Sequence, residues 1–82
     1  MTVSHATILW LLTTLEAQEQ WIMRDTEQNV LLTVTQYTVG HAQAWTVAWA
    51  SNRVERAPSL LDALLQAPDA VLQELATYPK AG

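Results

Sequence analysis

Residues 30–50 read VLLTVTQYTVGHAQAWTVAWA, and two alternating runs lie within them. Over 30–37, Val30, Leu32 and Val34 fall on one side of a two-residue period, with Leu31, Thr33, Thr35 and Tyr37 on the other. Over 44–50 the sides differ sharply in bulk: Trp45, Val47 and Trp49 oppose Ala44, Thr46, Ala48 and Ala50. Side chains alternate across a strand, so this pattern predicts two strands with unlike faces. The stretch 38–43 between them contains Gly40 and has a length that hairpins tolerate.

The neighbouring segments extend the sheet. Trp21-Ile22-Met23-Arg24 reads as a short strand with 25–29 as its turn. Ser51-Asn52-Arg53 suits a tight turn because Asn accepts positive φ. Residues 54–57 return as an edge, and Ala57, preceding Pro58, favours extended backbone.

Helical signals flank the strands. Ser4 is placed to cap a helix over 5–20, with Ile8, Leu11, Leu12 and Leu15 along one face. Trp10 lies well around the helix from that stripe and is expected to be partly exposed or to reach another element. Ser59-Leu60-Leu61-Asp62 has the form of a capping box. Pro68 interrupts the helix that follows and suits the first turn of a new one, where Asp69 complements the helix dipole. Val71, Leu72 and Leu75 form its apolar stripe, Tyr78-Pro79 ends it, and 79–82 reads as a frayed tail. The expected fold is α+β in a single domain, 1–82. An N-terminal helix, a three- to four-stranded antiparallel meander and a C-terminal helix pair place their helices on one sheet face.

Composition narrows the function. The chain has 82 residues, twelve Leu, four Trp, no Phe and no Cys, so neither disulfides nor Cys-ligated metals support it. A chain this short has a thin stability margin, and association with a copy of itself or another chain is a common supplement. Four basic residues against eight acidic ones give a net charge of −4, opposite to the balance a nucleic-acid binder needs. The apolar run ATILWLLTTL at 6–15 is far short of the ~20 residues of a membrane span. No Lys or Arg precedes it, and Leu15-Glu16-Ala17 is a poor cleavage site, so a cytoplasmic location is expected and no membrane partner.

The order helix, strands, helix resembles that of a double-stranded-RNA-binding domain. In that family the second helix opens with a Lys-rich segment that grips phosphates. Here the matching stretch, Ala57-Pro58-Ser59-Leu60-Leu61-Asp62, has no Lys, so the resemblance is one of topology and implies no RNA binding.

Catalytic chemistry finds little material. His5 and His41 are the only histidines, with no HExxH or DxDxDG pattern. Ser4 and Ser59 are accounted for as caps and Ser51 as a turn residue, while Gly40 and Gly82 cannot make a phosphate loop. The expectation is a non-enzyme without cofactor or metal; His41 beside an acid, completed across a dimer interface, is the remaining enzymatic alternative. An acidic inhibitor of a nucleic-acid-binding protein, of the kind mobile elements encode, is another, and requires Glu16, Glu19, Asp25, Glu27 and Glu55 to line up.

Burying a large aliphatic side chain is worth about 1.5–3 kcal/mol, which sends the Trp/Val face under the helices and leaves the Ala/Thr face in water. The inverse arrangement would display the Trp pair as a binding hot spot. The first arrangement nominates Thr33, Thr35, Tyr37, Ala44, Thr46, Ala48 and Ala50, with Trp10, as the surface for a protein partner or self-association. A non-catalytic protein–protein interaction domain, as an accessory or regulatory subunit, is the leading functional expectation.

Overall fold

The computed structural model describes residues 3–50, 52–57 and 59–78. Helix α1 (His5–Gln18) leads into four strands, β1 (Gln20–Arg24), β2 (Val30–Val39), β3 (Ala42–Trp49) and β4 (Asn52–Ala57). Two short helices follow, α2 (Leu60–Leu64) and α3 (Asp69–Leu75). The strands form one antiparallel sheet in the order β1-β2-β3-β4. The expected α+β architecture is therefore present, with the full four strands. No described helix is long and apolar enough to cross a membrane.

The bulky sheet face lies under the helices. One row across all four strands, Trp21–Val34–Val47–Val54, follows from the pairing register. Met23, Leu32, Val34, Trp45, Val47 and Trp49 are buried in one cluster with Leu11 and Leu15 of α1, Leu60 and Leu64 of α2, and Leu72 and Leu75 of α3. Helix α1 packs on β1 and β2, and α2 on β3 and β4. The Trp45 ring N–H is enclosed without a hydrogen-bond acceptor among the described residues. Leaving a donor unpaired costs ~1–3 kcal/mol, whereas burying an indole of 150–250 Å² returns ~4–6 kcal/mol, so packing wins.

Several boundaries differ from the sequence expectation, each for a local reason. Helix α1 stops at Gln18 because Glu19 turns left-handed, φ 65°, and its N–H bonds the Leu15 carbonyl. The expected loop 38–43 shrinks to Gly40-His41, since Val39 pairs with Ala42. Gly40 takes φ +63° and His41 does not, as a two-residue II′ hairpin requires. Pro68 is the N-cap of α3, one place earlier than its expected first turn. The expected frayed tail at 79–82 lies outside the described residues, as do Ser51 of the β3–β4 turn and Pro58.

A bulge overturns the assignment of Val30 and Leu31. Met23 pairs with Leu32 but Arg24 pairs with Val30, so β2 carries one extra residue. One inserted residue reverses the alternation beyond it. Val30 is therefore exposed, opposite Arg24, while Leu31 packs against the core. A second bulge in β4, where Arg56 takes φ 55°, returns Ala57 to the buried side against Trp45.

A clasp ties α1 and β1 to the segment that follows α3. Thr7, fully buried, donates its hydroxyl hydrogen to the Tyr78 carbonyl. Trp10 stacks on the Tyr78 ring at 5.4 Å, and Trp21 meets both rings edge-on at 5.4 and 5.1 Å. Trp10 thus reaches another element, β1, and the segment after α3 as well. Aromatic pairs of this geometry add about 0.5–1.5 kcal/mol each beyond area burial.

The buried and exposed sides of α1 make a direct test. Leu15→Ala should lower the unfolding free energy by about 2–5 kcal/mol in a urea titration. Leu9→Ala, on the exposed side, should stay within about 0.5 kcal/mol of the parent.

Candidate interaction surface

With all three helices on one side, the other face of the sheet has no element packed on it among the described residues. Its rows follow from the register: Gln20–Thr35–Thr46, Ile22–Thr33–Ala48–Arg53, Tyr37–Ala44 and Val39–Ala42. On the two central strands it presents Thr33, Thr35, Tyr37, Val39, Ala42, Ala44, Thr46 and Ala48, none of them charged. Charge is confined to the rim. Arg24 stands at the end of β1, and on β4 Arg53 pairs with Glu55 at 3.1 Å.

Among the described residues six large apolar side chains are exposed, and three of them lie on this face: Ile22 at 39%, Val39 at 40% and Val30 at 47%. The others are Leu9 on α1, Leu61 on α2 and Leu65 at the C-cap of α2. The structure thus brings together Thr33, Thr35, Tyr37, Ala44, Thr46 and Ala48 as expected. Thr33, Thr35, Tyr37, Thr46 and Ala48 are half-buried, but Ala44, directly opposite Tyr37, is buried and offers little surface. Ala50 leaves the group, because it sits in the β3–β4 turn at φ 49°. Trp10 leaves it too, being committed to the clasp on the helical side.

Ile22, Val30, Val39 and Ala42 join the surface without having been singled out. Trp21, Ile22 and Met23 are all apolar, so alternation could not tell which side Ile22 takes. Val30 is turned outward by the bulge, and Val39 and Ala42 became strand residues when the hairpin loop shortened.

No catalytic constellation accompanies this face. His41 is exposed in the β2–β3 turn and makes no hydrogen bond or ion pair with a described residue. No group of three metal-ligating side chains occurs among the described residues. A shallow cleft of about 350 Å³, lined by Arg24, Asp25, Thr26 and Glu74, opens at the opposite end of β2 from His41. The five acids required for a nucleic-acid mimic are scattered. Glu16 and Glu19 lie at the end of α1, Asp25 and Glu27 beyond the far end of β1, and Glu55 on the opposite edge strand.

Compared with known proteins, the chain matches no family model, no curated protein and no solved structure.

The Asp25 carboxylate is a structural group. It accepts the backbone N–H groups of Glu27 at 2.8 Å and Asn29 at 2.9 Å, and the Asn29 side-chain amide at 3.3 Å. The Asn29 backbone donor is the largest influence, and with the other two it holds the Asp25 pKa below its ordinary 3.8 against a smaller opposing desolvation. A depressed carboxylate contributes stability above its unfolded value and loses it as pH falls through its folded value. Asp25→Asn should therefore be less stable than the parent at neutral pH, with the gap closing well below pH 3.8, as read from urea midpoints at the two pH values.

Proposed function

We propose that the protein is a non-catalytic protein–protein interaction domain, a small accessory or regulatory subunit that meets its partner through the open sheet face. The observation that carries this reading is the uncharged centre of that face together with its three exposed apolar side chains. Ala and Thr cost less to desolvate than charged side chains, whose burial is the most expensive of all.

Size sets the strength of the contact. Four strands at ~4.8 Å spacing, about seven residues long at ~3.3 Å each, present roughly 400–500 Å². A partner covering that area buries roughly 800–1,000 Å² in total, the lower end of specific interfaces. Reversible rather than permanent association is the corresponding behaviour.

A photo-crosslinking residue at Thr46, expressed in the source cells, should couple the protein to a defined partner, while the same residue at Leu61 on α2 should not. Coupling at Leu61 alone, or at neither position, would overturn the reading.

A further inference from the structure

The two edges of the sheet are built differently. β4 carries Arg53, Glu55 and Arg56, and its bulge twists the backbone at Arg56. Charge and bulges are the usual means of keeping an edge from pairing. β1, QWIMR, has no charge before Arg24, no Pro and no inserted residue of its own, since the β1–β2 bulge falls on β2.

Two hydrogen bonds establish which β1 groups face outward. The Gln36 N–H donates to the Glu19 carbonyl at 2.9 Å, and the Asp25 N–H to the Asn29 carbonyl at 2.9 Å. Both place an odd-numbered residue facing β2. In an antiparallel ladder, residues alternate between pairing with the neighbour and facing away. Trp21 and Met23 therefore bond β2, while the backbone N–H and C=O of Gln20, Ile22 and Arg24 point out from the edge. No described residue bonds those outward groups.

We propose that β1 is a self-pairing edge: two copies of the chain join antiparallel through β1, on a two-fold axis at Ile22, into one continuous eight-stranded sheet. Only this register engages all three outward residues. Gln20 faces Arg24 of the second copy, Ile22 faces Ile22, and Arg24 faces Gln20. Each facing pair exchanges both of its backbone bonds. Centring on Arg24 would instead set two like charges opposite each other and leave Gln20 unpaired. Side chains fit the same register. The exposed Ile22 finds an apolar partner on the open face, and half-buried Trp21 neighbours Met23 of the second copy on the helical face. This goes beyond the reading of the open face, which stays bare in such a dimer and is doubled in extent.

Position 22 faces itself across the axis, which makes it a sharp probe. The full chain should sediment at twice its monomer mass when concentrated and at monomer mass on dilution. Ile22→Lys and Ile22→Glu should each be monomeric alone, because like charges meet at the axis. Mixed in equal amounts they should restore the doubled mass. Thr46→Lys, on the face but away from the edge, should leave the mass unchanged. As a check that needs no variant, the Ile22 amide of the parent should exchange with solvent more slowly as the protein is concentrated. A parent that stays monomeric at its highest attainable concentration would overturn the proposal, as would dimers of the separate Lys and Glu variants, or dissociation by Thr46→Lys alone. None of these results depends on whether Thr46 crosslinks to another protein.

Discussion

Trp45, Val47 and Trp49 alternate with Ala44, Thr46 and Ala48 along β3, and a cysteine-free chain of 82 residues has to bury the first set. Each large side chain left in water forfeits about 1.5–3 kcal/mol or more, against a total stability of roughly 4–12 kcal/mol for a domain of this length. Two or three such losses, about 3–9 kcal/mol, would consume most of that margin. Leucines of α1, α2 and α3 accordingly converge on the same side of the sheet and form a single cluster with the Trp/Val face. Placing the helices there is also what leaves the Ala/Thr face uncovered among the described residues, so the stability requirement and the candidate interaction surface have one cause.

The clasp completes the helical layer. Helices α2 and α3 span only five and seven residues, too short to hold their form without tertiary contacts. Leu60, Leu64, Leu72 and Leu75 give them those contacts, and the Trp10–Trp21–Tyr78 triangle ties the end of the described chain to α1 and β1. Thr7 adds a directional bond where an aliphatic residue would supply only bulk. Because β1 is pinned by its aromatic side chain, its opposite edge is presented as a fixed, extended strand. An ordered edge of that kind loses little backbone freedom on pairing, which favours an added strand.

Most of the architecture was legible because the signals were periodic and strong. The Trp/Ala contrast in β3, the Leu11–Leu15 stripe and the Ser4 and Ser59 caps all appear where the side-chain periods place them. What escaped was set by single-residue backbone events. A bulge opposite Met23 and Arg24 reversed Val30 and Leu31, and no two-residue period can register an insertion that is defined by the partner strand. The hairpin at Gly40-His41 extended β2 and β3 inward, because pairing of Val39 with Ala42 outweighed the turn propensity of the longer stretch. The surface was legible in its Thr and Ala members. Ile22 was not, since both its neighbours are apolar, and Trp10 was drawn into the clasp by Tyr78, 68 residues along the chain.

The central claim, that the bulky sheet face is buried under the helices and the small one is open, is tested most directly by tryptophan fluorescence. With Trp10 and Trp21 replaced by Phe, only Trp45 and Trp49 report. Blue-shifted emission that resists acrylamide at every protein concentration is the predicted result. Red-shifted emission that acrylamide quenches freely in the folded protein would mean that the sheet is inverted and the Ala/Thr face lies beneath the helices.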